Sequence, residues 1–420
     1  MDNHWSTEMK KTLGALAVLV VAAGTASAQS TVTLFGVVDT GISYFNAESR
    51  FYSRNPFALP PVGTPTSVTQ SKWAESTGNH TGSRWGVRGT EDLGGGLGAA
   101  FWLESGIASD TGAGTAPGGI MNFNRRSTVS LLSWLGEVRL GRDFTPTYIN
   151  DLVDPFSNGG VGATLIATIG TNLATARGPG SAQSPSDNYV RTSNSIAYFT
   201  PQGLGGFYGQ LTYALPETVK VSGLPQSSTG RFYGGRFGYA KGPIDVALAY
   251  SSSQAVDNLV RNVLVDESLT TASLIATYDF GPFKLIGQIA QMQDKRDSLF
   301  TSGVSTQTED KYNGGMVGVT VPIGVGLIRA TYAKVNFNGF TNNDASTQKL
   351  AIGYVHNLSK RTNLYATAAK VEVKDGQNNP AIMGALAGSS GLTYLSTGAG
   401  VQGYAPHSST GYEFGIRHAF

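Results

Sequence analysis

The chain closes on Tyr412-Glu413-Phe414-Gly415-Ile416-Arg417-His418-Ala419-Phe420, in which Tyr412, Phe414, Ile416, His418 and Phe420 alternate with Glu413, Gly415, Arg417 and Ala419. A period of two puts successive side chains on opposite faces of an extended backbone, so this is a strand with one apolar and one polar face. Near the other end, Val32, Leu34, Val38, Ile42 and Tyr44 share one face, and Thr33, Asp39 and Ser43 the other. The pattern returns between them, as in Phe207/Leu211/Tyr213, Ile244/Val246/Leu248/Tyr250, Val317/Val319/Val321 and Leu350/Ile352/Tyr354. Each run ends in a cluster of Gly, Asn, Asp, Ser or Pro, and with the connectors as guides there are sixteen runs.

The connectors alternate in length. Short ones include Asp92–Gly96, Trp134–Gly136, Gln202–Gly206, Lys241–Pro243 and Pro322–Gly324. Long ones run from Asn46 to Asn79, Ile107 to Phe123, Phe144 to Val190, Leu215 to Gly230, Ser252 to Ser268, Asp294 to Asp310, Asn336 to Ser346 and Lys374 to Ser409. An up-and-down barrel reverses at opposite rims in turn, which gives this rhythm; a soluble sandwich has no reason to keep it. Barrels with an apolar interior rarely need more than about eight strands, whereas sixteen enclose a wide lumen that must hold water. The apolar face therefore points outward into lipid, and closure pairs the backbone donors. The expected fold is all-β, a sixteen-stranded antiparallel transmembrane barrel.

Composition agrees. Of 420 residues 55 are Gly, about 13% against a usual share of roughly 7%, and only 14% are charged. A mean hydropathy of −0.09 leaves no room for a bundle of apolar membrane helices. With 30 Lys+Arg against 28 Asp+Glu there is no basic excess for phosphate, so nucleic acid is not an expected partner. The absence of Cys removes disulfide, thiolate and zinc–thiolate chemistry. Tyr and Phe (18 and 19) outnumber Trp (5), and many stand at strand ends, as interfacial girdles require.

Lys10 and Lys11 precede an apolar run from Leu13 to Ala23 that ends in Ala26-Ser27-Ala28. Residues 1–28 read as a secretory signal peptide cut before Gln29, with 29–420 as the barrel domain. Asp2 and Glu8 precede the basic segment, where a signal gains nothing from them, so Met9 is the candidate initiator. Removing 1–28 takes away two acids and two bases and leaves the net charge at +2 (28 minus 26).

In its terminal strand and final Phe420 the sequence resembles outer-membrane barrel proteins, whose last strand is read by the barrel assembly machinery; Tyr412, Phe414, Ile416 and Phe420 would be that signal. More closely it resembles the general trimeric porins of β-proteobacteria, the Gram-negative porin family. The matching stretches are VTLFGVVDTGISYF (Val32 to Phe45), SRWGVRGTEDLGGGLGAAFWLE (Ser83 to Glu104), NRRSTVSL (Asn124 to Leu131), GEVRLGRDFTP (Gly136 to Pro146), NSIAYFTP (Asn194 to Pro201) and GIRHAF (Gly415 to Phe420). They cover both ends and most of the first half, while later strands match only in pattern.

The resemblance implies a homotrimer in the outer membrane of a Gram-negative bacterium and a third extracellular loop folded inward to narrow the pore. Here that loop is Phe144 to Val190, carrying Asp151 and Asp154, with Asp143 at its base. The family sets lumen-facing arginines opposite, and parity supplies candidates: Arg84 and Arg88 against lipid-facing Trp85 and Val87, Arg126 against Val129, Arg139 against Val138 and Leu140, and Arg191 against Ile196 and Tyr198. Guanidiniums facing carboxylates would set a transverse field across a narrow water column and ease the passage of anions. The net charge allows at most a mild anion preference. Trp102 stands where the family tends to have a smaller polar residue, and there it narrows the lumen or tilts the register.

Other motifs carry less. Gly94–Gly98 lies between two strands and opens no helix, so it reads as a turn and not a phosphate cradle. His80, His356, His407 and His418 are too dispersed for metal-ligand spacing, and no Ser has a nucleophile elbow or a paired base. Asp266-Glu267 and Glu309-Asp310 read as solvated loop charges, with divalent ions bridging lipopolysaccharide as their alternative. The expected function is passive diffusion of small hydrophilic solutes and ions, with no cofactor, no metal and no enzymatic step. The alternative is a substrate-specific channel or adhesin-like barrel.

Overall fold

The computed structural model describes residues 31–53, 63, 65–157, 159–177, 187–216, 219, 222, 228–260, 263–300, 302–339, 344–377, 379–388, 392–395 and 402–420. The expected signal peptide and Met9 lie outside the described residues.

A single antiparallel sheet closes on itself. Its strands are β1 (Thr31–Ser53), β2 in two segments (Ser67–Thr77 and Arg84–Gly94), β3 (Leu97–Gly106), β4 (Arg126–Ser133), β5 (Gly136–Phe144), β6 (Arg191–Phe199), β7 (Phe207–Ala214) and β8 (Phe232–Lys241). They continue with β9 (Ile244–Val260), β10 (Val263–Asp279), β11 (Lys284–Phe300), β12 (Ser305–Ile323), β13 (Gly326–Asn338), β14 (Ser346–Asn357), β15 (Thr362–Lys374) and β16 (Gln402–Ala419). Each strand pairs with the next, and β16 returns to β1 from Val37↔Ala419 to Ser53↔Gln402, with one shift of register between Glu48 and Ser49. Gly36 and Phe420 complete the seam by donating to one another's carbonyls at 3.2 and 3.1 Å. A closed ladder leaves no edge in lipid, which an open sheet could not achieve.

The two faces follow the alternation in the sequence. Val32, Leu34, Val38 and Ile42 of β1, Tyr412, Phe414 and Ile416 of β16 and the terminal Phe420 are exposed on the outer wall, while Asp39, Ser43 and Glu413 are buried on the inner one. Outer aromatics meet across strands, as in Tyr44–Trp73 at 5.1 Å and Tyr44–Tyr412 at 6.2 Å. At the short-turn rim, Gly94, Gly95 and Gly96 all have positive φ (+80°, +62°, +80°), backbone that glycine adopts without strain, so this stretch is the tight β2–β3 turn.

Three of the expected connectors differ from the sequence reading. The connector expected from Asn46 to Asn79 contains the upper half of β2, and those at 252–268 and 294–310 are largely extensions of β9 to β12. Polar residues there keep pairing beyond the apolar band, where the outer face no longer needs to be greasy. Strand β2 is also broken. Thr77 pairs with Thr40 and Arg84 with Val37, so six residues (78–83) stand against two of β1, Val38 and Asp39. Asp39 repairs the ladder: its carboxylate accepts from the His80 and Thr81 N–H groups at 2.8 and 2.5 Å, and its backbone N–H donates to Ser83 Oγ at 3.0 Å.

The apolar core sits inside the barrel. It is built from the segment between β5 and β6, with helices α1 (Pro146–Asp151) and α2 (Leu165–Arg177), and from the segment between β15 and β16 with the short helix α3 (Pro380–Met383). Phe156, Val161, Leu165, Ile166 and Ile169 pack with Ile382, Ala385 and Ala387 against inward side chains of the wall such as Met316 and Val335.

Candidate pore constriction

Helix α1 begins at Thr145, whose hydroxyl accepts from the Tyr148 N–H, with Pro146 in the first turn, a strong N-terminal signal. It runs along the inner wall, where Asn150 Nδ2 donates to the Ser273 hydroxyl at 3.1 Å and Asn150 Oδ1 accepts from Arg236 Nε at 2.7 Å. Beyond it Asp154 meets β13, Pro155 meets Gly318 of β12, and the Val161 N–H donates to Glu413 of β16 at 2.9 Å. The segment thus follows the wall from β8 round to β16 and leaves the water path beside β1 to β5.

A cavity of about 440 Å³ occupies that path. One side carries Arg84, Arg125, Arg126 and Arg191, with Glu104 and Asp143 among them; the other carries Tyr148, Leu152, Ser157 and Gly159 of the inward segment. Glu104 is shared by Arg125 and Arg84, at 2.6 and 3.5 Å. Asp143 is shared by Arg139 and Arg126, at 2.5 and 3.4 Å. Arg139 also holds Glu137 at 2.7 Å. Arg191 makes no ion pair among the described residues; its guanidinium lies 4.2 Å over the Phe144 ring and its Nε has no hydrogen-bond partner.

Of the expected arginines, the structure brings Arg84, Arg126 and Arg191 to this cavity and sets Arg139 beside it. Arg88 stands four residues further along β2, about 13 Å toward the short-turn rim. It too makes no ion pair among the described residues and is held between Phe35 and Trp102, at 5.3 and 4.9 Å. Trp102 keeps the regular register of β2 and β3, pairing with Arg88, so it does not tilt the ladder. It faces the lumen, with Arg126 at 4.4 Å. Arg125 escaped the parity argument because it precedes β4.

Asp151 and Asp154 lie apart from this cavity. Both are 2% exposed and neither lines the cavity. Asp151 accepts from Gln288 Nε2 at 2.6 Å and from the Tyr189 hydroxyl at 2.8 Å, and Asp154 accepts from the Phe156 N–H at 2.9 Å. Burial pushes the Asp151 carboxyl up to about 7 and Asp154 up to about 6, against the lowering effect of these hydrogen bonds. They fasten the segment to the wall; the acids that line this cavity, Glu104 and Asp143, belong to the wall itself.

A closed sixteen-strand wall, greasy outside and charged inside around an off-centre water path, is the architecture of a diffusion pore. The family model described as Gram-negative porin matches residues 15–376. The chain belongs to the Gram-negative porin family. This porin is 38% identical to outer membrane porin protein 32 of Delftia acidovorans over 415 residues, covering 98% of this chain and all of the relative. It is 32% identical to an outer membrane porin protein of Bordetella pertussis, covering 85% of this chain and 93% of the relative. The solved anion-selective porin from Comamonas acidovorans superposes with a TM-score of 0.68 at 34% identity, covering 93% of this chain and all of that one. The chain is an outer-membrane porin, a multi-pass β-barrel that passes small hydrophilic solutes and ions through a water-filled channel and carries out no enzymatic step.

Proposed function

We propose that this porin prefers anions and that its constriction is the cavity bounded by Arg84, Arg125, Arg126 and Arg191, with Arg139 behind it and Arg88 as a further cation on the periplasmic side. The observation that carries the reading is the burial of Asp151 and Asp154, because it leaves the arginine wall without opposing charge. Four guanidiniums against Glu104 and Asp143 give an excess of two positive charges (4 − 2) around this cavity. In a confined, poorly screened water column that excess lowers the energy of an anion and raises that of a cation. The Comamonas relative is named as anion-selective. The test is a reversal potential in a KCl gradient across a planar bilayer. Chloride preference that weakens as salt rises is expected; potassium preference would refute the reading.

The same reading includes a homotrimer. On the outer wall Glu75 accepts from the Thr40 hydroxyl at 3.0 Å, one rung below the Tyr44–Trp73 pair and so inside the aromatic girdle. A carboxylate at that depth is costly against lipid and is accommodated if a neighbouring barrel covers the outer face of β1 and β2. Cleavage after Ala28, reading of the Tyr412–Phe420 strand by the assembly machinery, and lipopolysaccharide around the long loops complete the proposal.

A further inference from the structure

The constriction is chemically one-sided. Its arginine wall looks across the water at Leu152 and Ser157, and the carbon of Trp102 lies among the guanidiniums. A pore with carboxylates opposite arginines holds oriented water that an apolar group must displace at a cost; here part of the facing surface is itself carbon. Arg191 is the cation in this set without an ion pair among the described residues. It lines both the constriction and the wider cavity of about 820 Å³ above it, so it stands where a solute passes from one to the other.

Building on the anion-preferring reading, we infer that this pore discriminates within the anions and favours carboxylates bearing a flat apolar tail, such as benzoate, over small hydrated ones such as acetate. The Arg191 guanidinium takes the carboxylate, for which its planar fork is suited, and the tail covers Leu152 and the edge of Trp102. The cavity of about 440 Å³ has room for one such molecule with water around its charged end. Covering roughly 40 Å² of ring carbon corresponds to about a fivefold preference.

The experiment measures bi-ionic potentials of the full-length porin in planar bilayers, with potassium chloride opposed in turn by potassium benzoate and potassium acetate. A benzoate-to-acetate permeability ratio of about five is expected, together with saturable block of chloride current by added benzoate. Leu152→Asp and Arg191→Gln should each bring the ratio to about one, with heat-modifiable migration on a gel as the check of folding. If Leu152→Asp does not fold, Leu152→Ser takes its place. A wild-type ratio of one or less with chloride still preferred over potassium would overturn this inference and leave the anion reading intact. Potassium preference would overturn both. A ratio that survives both substitutions would overturn the assignment to Arg191 and Leu152.

Discussion

Asp151 on α1 accepts a 2.6 Å hydrogen bond from Gln288 on β11, so the carboxylate of the inward segment points into the wall and not across the water. This contact, with the 2.8 Å bond from the Tyr189 hydroxyl, makes Asp151 a fastener for the whole segment. Replacing it with Ala strands both donors in a buried site, at a cost of about 2 kcal/mol to the seating of the segment. Hydrogen exchange along Pro146–Asp151 should speed up in Asp151→Ala while the barrel strands keep their protection. Unchanged exchange there would show that the contact does not hold the segment.

The raised carboxyls give that seating a pH dependence with a fixed sign. Burial lifts Asp151 to about 7 and Asp154 to about 6, and on release both return toward the ordinary 3.8. Between about pH 4 and pH 7 the seated segment therefore binds more protons than the released one, so seating is strongest on the acid side and weakens as pH rises through that window. Proteolytic nicking within 144–190 is expected to be slower at about pH 5 than at about pH 7.5, and the double variant Asp151→Asn, Asp154→Asn should flatten the difference. Faster nicking on the acid side would mean that the acids are held ionised.

Trp102 organises the cations around it. Arg88 and Arg126 lie 4.9 and 4.4 Å from its ring, each contact contributing about 0.5–1 kcal/mol in a wet setting. Trp102→Ala opens volume and releases both guanidiniums, Arg126 toward Asp143 and Arg88 toward bulk water. Single-channel conductance should rise and the KCl reversal potential should move toward zero, whereas Trp102→Phe should keep most of the selectivity. A conductance gain with unchanged selectivity would reduce Trp102 to a space filler.

Strand parity was legible because a one-sided apolar wall writes itself into every second residue, as at Tyr412 to Phe420, and the same parity placed Arg84, Arg126 and Arg191 in the lumen. It could not orient Asp151 and Asp154, because the direction of a side chain on a loop is decided by partners far away in sequence, here Gln288 and Thr331. The break in β2 was hidden for a related reason. Residues 78–83 are polar and Gly-containing like any turn, and only the pairing of Asp39 with His80 and Thr81 shows that the chain resumes the same strand. The second inward segment reads as a loop until Ile382 and Ala385 are seen packed inside the barrel.

The return of the inward segment is clipped by Arg142, which holds Asp187 through two bonds of 2.7 and 2.8 Å, with both side chains nearly inaccessible. Removing one partner of a buried pair leaves a bare charge and costs about 3–5 kcal/mol, whereas replacing both with apolar residues is far milder. Asp187→Ala should therefore lower the temperature at which the barrel changes mobility on a denaturing gel by more than the pair Arg142→Met, Asp187→Leu. An equal loss from both would mean that the clip acts by packing alone.

Closure of the barrel makes a sharper demand on Gly36. A Cβ there would collide with the Cζ end of the Phe420 ring, which covers the glycine on the lipid side while the two backbones exchange hydrogen bonds. Gly36→Val forces the terminal ring out over lipid and strains the last rung of the seam, so insertion into liposomes should slow and the heat-modified transition should fall. Phe420→Ala alone should cost less, because the rung survives without the ring. If steric conflict at the seam is the cause, adding Phe420→Ala to Gly36→Val recovers most of the lost stability; simple additivity of the two losses would place the damage in β1 itself.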